Sequence, residues 1–158
     1  MKPLDRLDLR ILANLQADAR ITNQSLAEKV NLSPSSCLQR VKRLEKNGYI
    51  VQYLAYIELS HICRYVTCIA TIAMRGPGGF EDFVDVIEKM PEVVECSTVS
   101  GEFDFILKIV CEDMSRHLEI NNYLLKTCKK IESMKTHFVM DESKRFKGFD
   151  IESLAPSK

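Results

Sequence analysis

One short segment, residues 33–46 (SPSSCLQRVKRLEK), concentrates hydrogen-bonding and cationic side chains at helical spacing. Leu38, Val41 and Leu44 recur at three-residue intervals, so we predict that they face a core. The other side of this helix presents hydroxyls, one amide and two guanidinium groups, with no carboxylate, from Ser35, Ser36, Gln39, Arg40 and Arg43. Such a face matches an anionic surface that offers hydrogen-bonding edges, and duplex DNA has both properties.

The position of each side chain along this helix predicts its role at DNA. Recognition helices contact base edges mainly through their first turns. Base contacts are therefore predicted for Ser35, Ser36, Gln39 and Arg40. Phosphate contacts, which are sensitive to salt, are predicted for the cations further along the face or at its edge: Arg43, Lys42 and Lys46.

Capping signals divide the first fifty residues into three helices. Side-chain oxygens suited to helix N-caps stand at Asp5, Thr22 and Ser33. A left-handed turn residue is predicted at Asn31, and Gly48 suits the C-terminal end of the third helix. Residues 49–57 are rich in β-branched and aromatic side chains, which predicts a strand leading out of this head.

The charge distribution separates a basic head from an acidic body. Residues 1–60 carry nine Lys or Arg and six Asp or Glu, whereas residues 61–158 carry thirteen and sixteen. A run of charge is commonly just a solvated face. The helix-turn-helix pattern around the basic residues favours DNA as the partner.

Several classes of protein are disfavoured by composition and spacing. The charged N-terminus lacks a signal-peptide pattern, and the apolar run at residues 66–74 is too short to span a bilayer. The six cysteines and three histidines show no metal-ligand spacing, so we expect no metal, no disulfide and no cofactor, and we read Cys37 as a packed thiol. We find no nucleophile–base pair or phosphate-binding glycine loop, so we predict a cytoplasmic protein that is not an enzyme.

The body follows a different pattern from the head. Strands are predicted over residues 66–74, 93–99, 103–111 and 131–141, and helices begin near Phe80 and after Asp113. The second of these helices is predicted to face inward through Leu118, Leu125 and Cys128. The order β-α-β-β-α-β predicts an α+β chain with a winged-helix-like head and a ferredoxin-like body.

These elements give a predicted domain organisation. We place the helix-turn-helix domain at residues 1–50, a strand and linker at 51–64, and the ferredoxin-like sensing and dimerisation domain at 65–142. Residues 143–158 form a C-terminal tail, which we expect to be peripheral.

The segment DARITNQSLAEKVNLSPSSCLQRVKRLEKNGYI resembles the helix-turn-helix of the Lrp/AsnC (feast/famine) family of prokaryotic transcription regulators. The resemblance runs from Leu4 to about Phe146, and SGEFDFIL looks like the glycine-x-x-aspartate hairpin of that family's sensing domain. It implies a homodimer joined through the ferredoxin-like domains. It also implies assembly of dimers into octamers that wrap or bend DNA, and a small-molecule effector, usually an amino acid, bound between sensing domains.

The resemblance nominates an effector pocket at the hairpin. Backbone groups of Ser100, Gly101, Glu102 and Phe103 would take the effector's carboxylate, and Asp104 would hold the loop or meet an ammonium group. The last strand of such domains also lines the pocket, which adds Glu132, Met134 and Thr136 by position. The simpler alternative is that Gly101 is a turn residue with positive φ and that Asp104 binds the turn's backbone.

Two positions depart from the family's pattern. Ser36 replaces a usual proline, which the first turn of a helix tolerates but does not need. Gln39 stands where the family commonly has arginine. Arginine favours guanine, whereas a glutamine amide pairs with adenine, so we predict a different base at the contacted position. The alternative is that Gln39 meets only phosphate or water, because phosphate and sugar contacts are the majority in such interfaces.

The sequence therefore predicts a sequence-specific DNA-binding regulator that responds to an amino acid or a similar metabolite. The alternative is a nucleoid-architectural protein that binds DNA broadly and has no effector.

Overall fold

The computed structural model describes residues 4–76 and 78–154. The chain divides into two compact units, one holding the residues up to Tyr56 together with those from Lys144 onward, and the other Ile57–Ser143. Within the described residues, no helix combines the length and the apolar character needed to cross a bilayer.

Three helices make the head of the first unit: α1 (Arg6–Ala17), α2 (Asn23–Val30) and α3 (Pro34–Lys46). Each begins at its predicted N-cap, since the side chains of Asp5, Thr22 and Ser33 accept hydrogen bonds from backbone N–H groups three residues later. Asn31 has φ of 57° and Gly48 has φ of 74°, so both turn predictions are confirmed. These ends depend on contacts within a few residues, which is why local sequence predicts them.

The packing of α3 differs from the prediction at one position. Cys37 and Leu44 are fully buried and Val41 packs partly against the same core, but Leu38 is 43% exposed. A step of three residues turns a helix by about 300°, so a strict three-residue repeat drifts away from the core. Positions 37, 41 and 44 keep to one side, and the small thiol of Cys37 takes the place predicted for Leu38. Burial raises the pKa of the Cys37 thiol.

The strand predicted over residues 49–57 does not form. Residues 51–58 have no regular secondary structure, and a short 3₁₀ turn follows at Leu59–His61. Val51, Leu54 and Tyr56 are each more than 70% exposed. The β-forming composition was read correctly, but a strand also needs a hydrogen-bonded neighbour, and this segment has none within the described residues.

The second unit has the predicted β-α-β-β-α-β order: β1 (Val66–Met74), α4 (Phe80–Ile87), β2 (Val93–Thr98), β3 (Phe105–Cys111), α5 (Met114–Thr127) and β4 (Ile131–Phe138). The strands form one antiparallel sheet in the order β2-β3-β1-β4. Alternate residues of β1 and β3 are buried. They pack with α4 and α5 into one apolar cluster that includes Ile72, Phe83, Phe105, Leu107, Ile120 and Leu124.

The predicted inner face of α5 was wrong at Leu118 and Leu125 and right at Cys128, which packs against the core. Leu118 is 60% exposed and Leu125 is 48% exposed, whereas His117, Ile120 and Leu124 are buried and Cys128 is half-buried. A histidine can occupy a core position when its ring nitrogens have partners. His117 Nδ1 lies 3.3 Å from Cys68 Sγ, and Nε2 lies 3.0 Å from Asn121 Nδ2.

This buried histidine predicts a pH dependence of stability. Burial lowers the pKa of His117, so the folded chain holds the ring neutral, while the unfolded chain protonates it below its ordinary pKa near 6.5. The free energy of unfolding should therefore fall as pH drops from 7 to 5, by at most about 1.4 kcal/mol per pH unit from this group. Urea denaturation of a His117→Gln variant should show a correspondingly weaker pH slope. The exposed His137 provides a matched control, and equal slopes for the wild type and His117→Gln would contradict the prediction.

The C-terminal tail is not merely peripheral. The Gln16 side chain donates to Phe149 O at 2.7 Å and accepts from Phe149 N at 2.9 Å, which fixes the tail to the end of α1. A short helix, α6 (Ile151–Leu154), then contacts α1. Residues 155–158 of the predicted tail lie outside the described residues. The Gln16 amide pairs with the backbone of a residue 133 positions away, and no local sequence pattern predicts such a contact.

Candidate nucleic-acid interface and effector hairpin

The outward face of α3 is set by the residues it buries. Since Cys37, Val41 and Leu44 point inward and each residue turns the helix by about 100°, the opposite side is centred near Gln39. The side chains on this side are all exposed and include no acid: Ser35, Gln39, Lys42 and Lys46. We call these four residues the outward face of α3. Leu38 flanks the face on one side, and Ser36 and Arg43 flank it on the other.

The start of α3 is held by a local hydrogen-bond network. Ser33 Oγ accepts from Ser36 N at 3.3 Å and donates to Ser36 Oγ at 2.9 Å. Asn23 of α2 donates its side-chain amide to Pro34 O at 2.9 Å. The turn between α2 and α3 therefore fixes the direction in which the first residues of α3 project.

Arg40 and Arg43 have partners inside the protein. Arg40 donates to Asp5 Oδ2 and Asp8 Oδ1, both at 2.7 Å, and Arg43 donates to both oxygens of Asp8 at 2.6 Å. Asp8 is only 1% exposed, and the arginine side chains are 25% and 33% exposed. Sequence reasoning placed both arginines on the DNA-facing side, whereas the structure turns them toward the start of α1.

The contacts of this cluster shift the pKa of two of its members, Asp5 and Arg40. Partial burial raises the pKa of Asp5, but hydrogen bonds from Arg40 and from Asp8 N–H outweigh it, so that the net shift is downward. The hydrogen bonds that Arg40 donates to Asp5 and Asp8 raise the pKa of Arg40. The two carboxylates compensate the two guanidinium charges, which leaves the outward lysines as the main free positive charge of α3.

Lys42 and Lys46 have no such compensation. Within the described part of the chain, no carboxylate oxygen lies within 4.0 Å of either ammonium group. Glu45, the acid between them in sequence, accepts a hydrogen bond from Tyr53 at 2.9 Å. Both lysines are therefore available to an external anion.

The hairpin between β2 and β3 has the geometry of a turn tied to the sheet. Gly101 has φ of 128°, a conformation that favours glycine. Asp104 Oδ2 accepts from Met74 N at 2.7 Å, and Asp104 N donates to Ile72 O at 2.8 Å. The Asp104 carboxylate therefore holds the loop against the end of β1.

The nominated residues of the last strand are only partly close to this hairpin. Lys135 donates to Glu102 Oε1 at 3.0 Å, which links the loop to β4. Met134 and Thr136 are half-buried on the other face of the sheet, since Met134 pairs with the buried Ile72. Glu132 is exposed where the register between β1 and β4 shifts. Ser100 and Gly101 are exposed, and Phe103 is half-buried.

The sequence did not predict the roles that three residues have at these two sites. Lys135 gave no signal, because its contact with Glu102 depends on the folded sheet. Asp5 was recognised only as a cap, and Asp8 was not singled out at all. The spacing Asp5-x-x-Asp8 is that of a capping box, in which the two side chains exchange hydrogen bonds with each other's backbone. This spacing could have identified Asp8.

Both units match known protein families. Residues 4–51 match the family described as winged helix-turn-helix DNA-binding. Residues 67–149 match the family described as the Lrp/AsnC ligand binding domain. The two matches fall on the three head helices and on the sheet with its hairpin.

Relatives match over nearly the whole chain. The leucine-responsive regulatory protein of Escherichia coli K12 is 38% identical over 146 residues, which cover 91% of this chain and 89% of that protein. The same values hold for the leucine-responsive regulatory protein of Klebsiella pneumoniae.

Solved structures show the same fold. A transcriptional regulator of Neisseria meningitidis, in complex with L-methionine, is 31% identical with a TM-score of 0.89, over 97% of this chain and 100% of that one. An AsnC family transcriptional regulator from Agrobacterium tumefaciens is 27% identical with a TM-score of 0.88, over 96% and 100%.

Proposed function

The chain belongs to the Lrp/AsnC family of transcriptional regulators, and on that premise we propose that it reads duplex DNA through the outward face of α3 and that an amino acid modulates this binding. As a member of this family with a DNA-binding helix-turn-helix, it is a DNA-binding regulator. The residue assignments and the effector are the proposed part.

One observation supports the DNA contact above the others. The outward face of α3 combines a hydroxyl, an amide and two uncompensated ammonium groups on a helix whose start is rigidly held. Gln39 lies at its centre in the second turn, where recognition helices meet base edges. We assign base contacts to Ser35 and Gln39, with Ser36 at the flank, and phosphate contacts to Lys42 and Lys46.

Arg40 and Arg43 take a different role in this proposal from the one their sequence positions indicated. Their guanidinium groups are bound to Asp5 and Asp8, so that each would have to leave a carboxylate before meeting DNA. We propose that they fix α3 on α1 and meet phosphate only secondarily.

The lysines give a direct test. Replacing Lys42 or Lys46 by glutamine should make the slope of log affinity against log salt less steep by about one unit for each protomer that contacts DNA. The reason is that one fewer counterion is released from the duplex. Affinity should be measured on one duplex over a range of salt concentrations, with Lys126→Gln on α5 as a control. An unchanged slope for both α3 variants would exclude them from the interface.

The effector site is proposed at the β2–β3 hairpin. Two facts support it: the Lrp/AsnC ligand-binding match spans this loop, and the neisserial neighbour is a complex with L-methionine. We propose that the backbone of Ser100–Phe103 takes the amino acid's carboxylate, that Asp104 holds the loop, and that the exposed Glu132 is the β4 candidate that meets the ligand directly. Met134 and Thr136, on the other face of the sheet, would act by shaping the strand.

A thermal-shift screen of the twenty amino acids tests the effector proposal. Binding should raise the melting temperature, and a Gly101→Val variant should lose the shift because its φ of 128° is strained for any side chain. The absence of a shift for every amino acid, together with flat affinity across random DNA, would favour the nucleoid-architectural alternative.

We further propose a homodimer joined through the ferredoxin-like units, with assembly up to an octamer. The face of the sheet away from the core carries half-buried apolar side chains, including Ile69, Ile106 and Val110, that a second copy would cover. Light scattering should then give a mass two or eight times 18.1 kDa.

We place the regulator in the cytoplasm with the nucleoid, and no catalytic step forms part of its proposed action.

A further inference from the structure

A cavity of about 350 Å³ lies in the second unit, between α5 and residues 89–92, which join α4 to β2. One wall is apolar and is formed by Met90, Pro91, Ile120 and Tyr123. The volume falls within the range of small-molecule pockets, which commonly combine such walls with a few polar groups. The cavity shares no residue with the hairpin site.

The remaining lining residues are two cations and two anions: Lys89, Glu92, Arg116 and Glu119. Arg116 donates from Nε to Glu92 at 2.8 Å and from Nη1 to Glu119 at 2.8 Å, and its Nη2 also contacts Glu92. The hydrogen bond from Arg116 lowers the pKa of Glu92, so this carboxylate stays charged. A guanidinium has five N–H groups, so two remain without a partner in this cluster.

Two of the four charges keep free capacity for a ligand. Within the described residues, no carboxylate lies within 4.0 Å of the Lys89 ammonium group. The Glu119 side chain is 67% exposed and uses one oxygen on Arg116. A ligand with only a negative charge would be repelled by the two carboxylates of the lining, and a ligand with only a positive charge would be repelled by its two cations. A ligand that carries both charges can pair with the cations through one group and with a carboxylate through the other.

We propose that this cavity is a second small-molecule site, selective for a zwitterion with an apolar side chain, which is the chemistry of an apolar α-amino acid. Its carboxylate binds Lys89 and the unused N–H groups of Arg116, and its ammonium group binds Glu119. The apolar side chain packs on Met90, Ile120 and Tyr123.

This site is separate from the proposed effector hairpin. Glu92 immediately precedes β2 and the hairpin follows it, so that the two sites lie at opposite ends of one six-residue strand. At a rise of about 3.3 Å per residue, they are roughly 20 Å apart. The proposal rests on the cavity's own residues and does not require the hairpin to bind anything.

Methionine methyl NMR on the full-length protein separates the two sites. Met90 lines the cavity, and Met74 donates its backbone N–H to the Asp104 carboxylate of the hairpin. Three probes with the same branched side chain are titrated: L-leucine, isopentylamine without the carboxylate, and isocaproate without the ammonium group. The Met90 signal should shift and saturate with L-leucine, and the other two probes should bind at least about tenfold more weakly, because each loses one charged contact.

Matched variants assign the contacts. Lys89→Gln and Glu119→Gln should each weaken the L-leucine response of Met90 by about tenfold or more, while Lys126→Gln, on the same helix as Glu119, leaves it unchanged. A Met90 signal that L-leucine does not move, or that all three probes move equally, would overturn the proposal. A response of Met74 without one of Met90 would refute this cavity and leave the hairpin proposal standing.

Discussion

Replacement of Asp8 by asparagine should lower the free energy of unfolding of the N-terminal unit by about 2–4 kcal/mol. Asp8 is 1% exposed and receives hydrogen bonds from Arg40, from Arg43 and from Asp5 N–H. An asparagine offers one acceptor where the carboxylate offers two, and its NH₂ group would face guanidinium donors. The arginines are partly exposed and can turn to water, which keeps the cost below that of a fully buried pair. Hydrogen exchange of the α1–α3 amides measures the loss in this unit alone.

The same substitution should make DNA binding more dependent on salt, even though it destabilises the N-terminal unit. Once Asp8 is neutral, Arg43 loses its carboxylate partner and is free to meet phosphate, whereas Arg40 keeps Asp5, so that the slope of log affinity against log salt becomes steeper by about one unit per protomer. The measurement is made on random duplex at a temperature where the variant is folded. A merely structural role for Asp8 predicts weaker binding and no added salt dependence.

Glu28→Gln provides the matched control. Glu28 is an exposed acid on α2, and its replacement removes one negative charge from the head without releasing an arginine. If Asp8→Asn and Glu28→Gln steepened the salt dependence equally, only net charge would be responsible, and the proposed restraint of Arg43 by Asp8 would be wrong.

In the head, the sequence predicted the local features but not the ion pairs that hold the arginines of α3. The caps at Asp5, Thr22 and Ser33 and the left-handed Asn31 and Gly48 were predicted, because each depends on neighbouring residues only. The partners of Arg40 come from 32 and 35 positions away, and no spacing rule within α3 reports them. The residues at the centre of the predicted DNA face are exposed, as expected, whereas its two arginines are bound to carboxylates of α1 and its N-cap.

Residue type alone also failed in the core of the second unit. Leu118 and Leu125 were assigned inward because they are apolar, yet the structure buries His117 instead. The histidine is accepted because Cys68 and Asn121 lie within hydrogen-bonding distance of its nitrogens, and these partners come together only in the folded sheet. The order of strands and helices along this unit was predicted correctly from their hydrophobic periods.

In the proposed effector region too, the local hairpin was predicted from sequence but the contacts of β4 were not. The hairpin was located from its Gly101–Asp104 pattern, and both residues have the local geometry that the turn interpretation required. The contributions of β4 were guessed by position. A strand alternates its side chains between two faces, so Met134 and Thr136 lie on one face and Lys135, the residue that contacts Glu102, lies on the other.

Replacement of Gln39 by arginine should change which base the protein selects. Gln39 lies exposed at the centre of the outward face of α3, without a carboxylate on that face to bind a new guanidinium. A glutamine amide pairs with adenine N6 and N7, whereas arginine pairs with guanine O6 and N7. A single bidentate contact discriminates by about 1–3 kcal/mol, which corresponds to roughly 5- to 150-fold in affinity.

A conservative change on the same face separates base reading from charge. Lys42→Arg also introduces a guanidinium on the outward face of α3, but at a position assigned to phosphate. It should leave the selected sequence unchanged while preserving the salt dependence. A shift in base preference caused by Lys42→Arg would mean that the helix lies in the groove at a different rotation.

The central claim is that the outward face of α3, with Gln39 at its centre, reads DNA sequence. In vitro selection of bound duplexes from a random pool, performed side by side for the wild type, Gln39→Arg and Lys42→Arg at one salt concentration, tests it most directly. We expect one position in each half-site to change from adenine to guanine for Gln39→Arg alone. Identical selected sequences for the wild type and Gln39→Arg would contradict the claim.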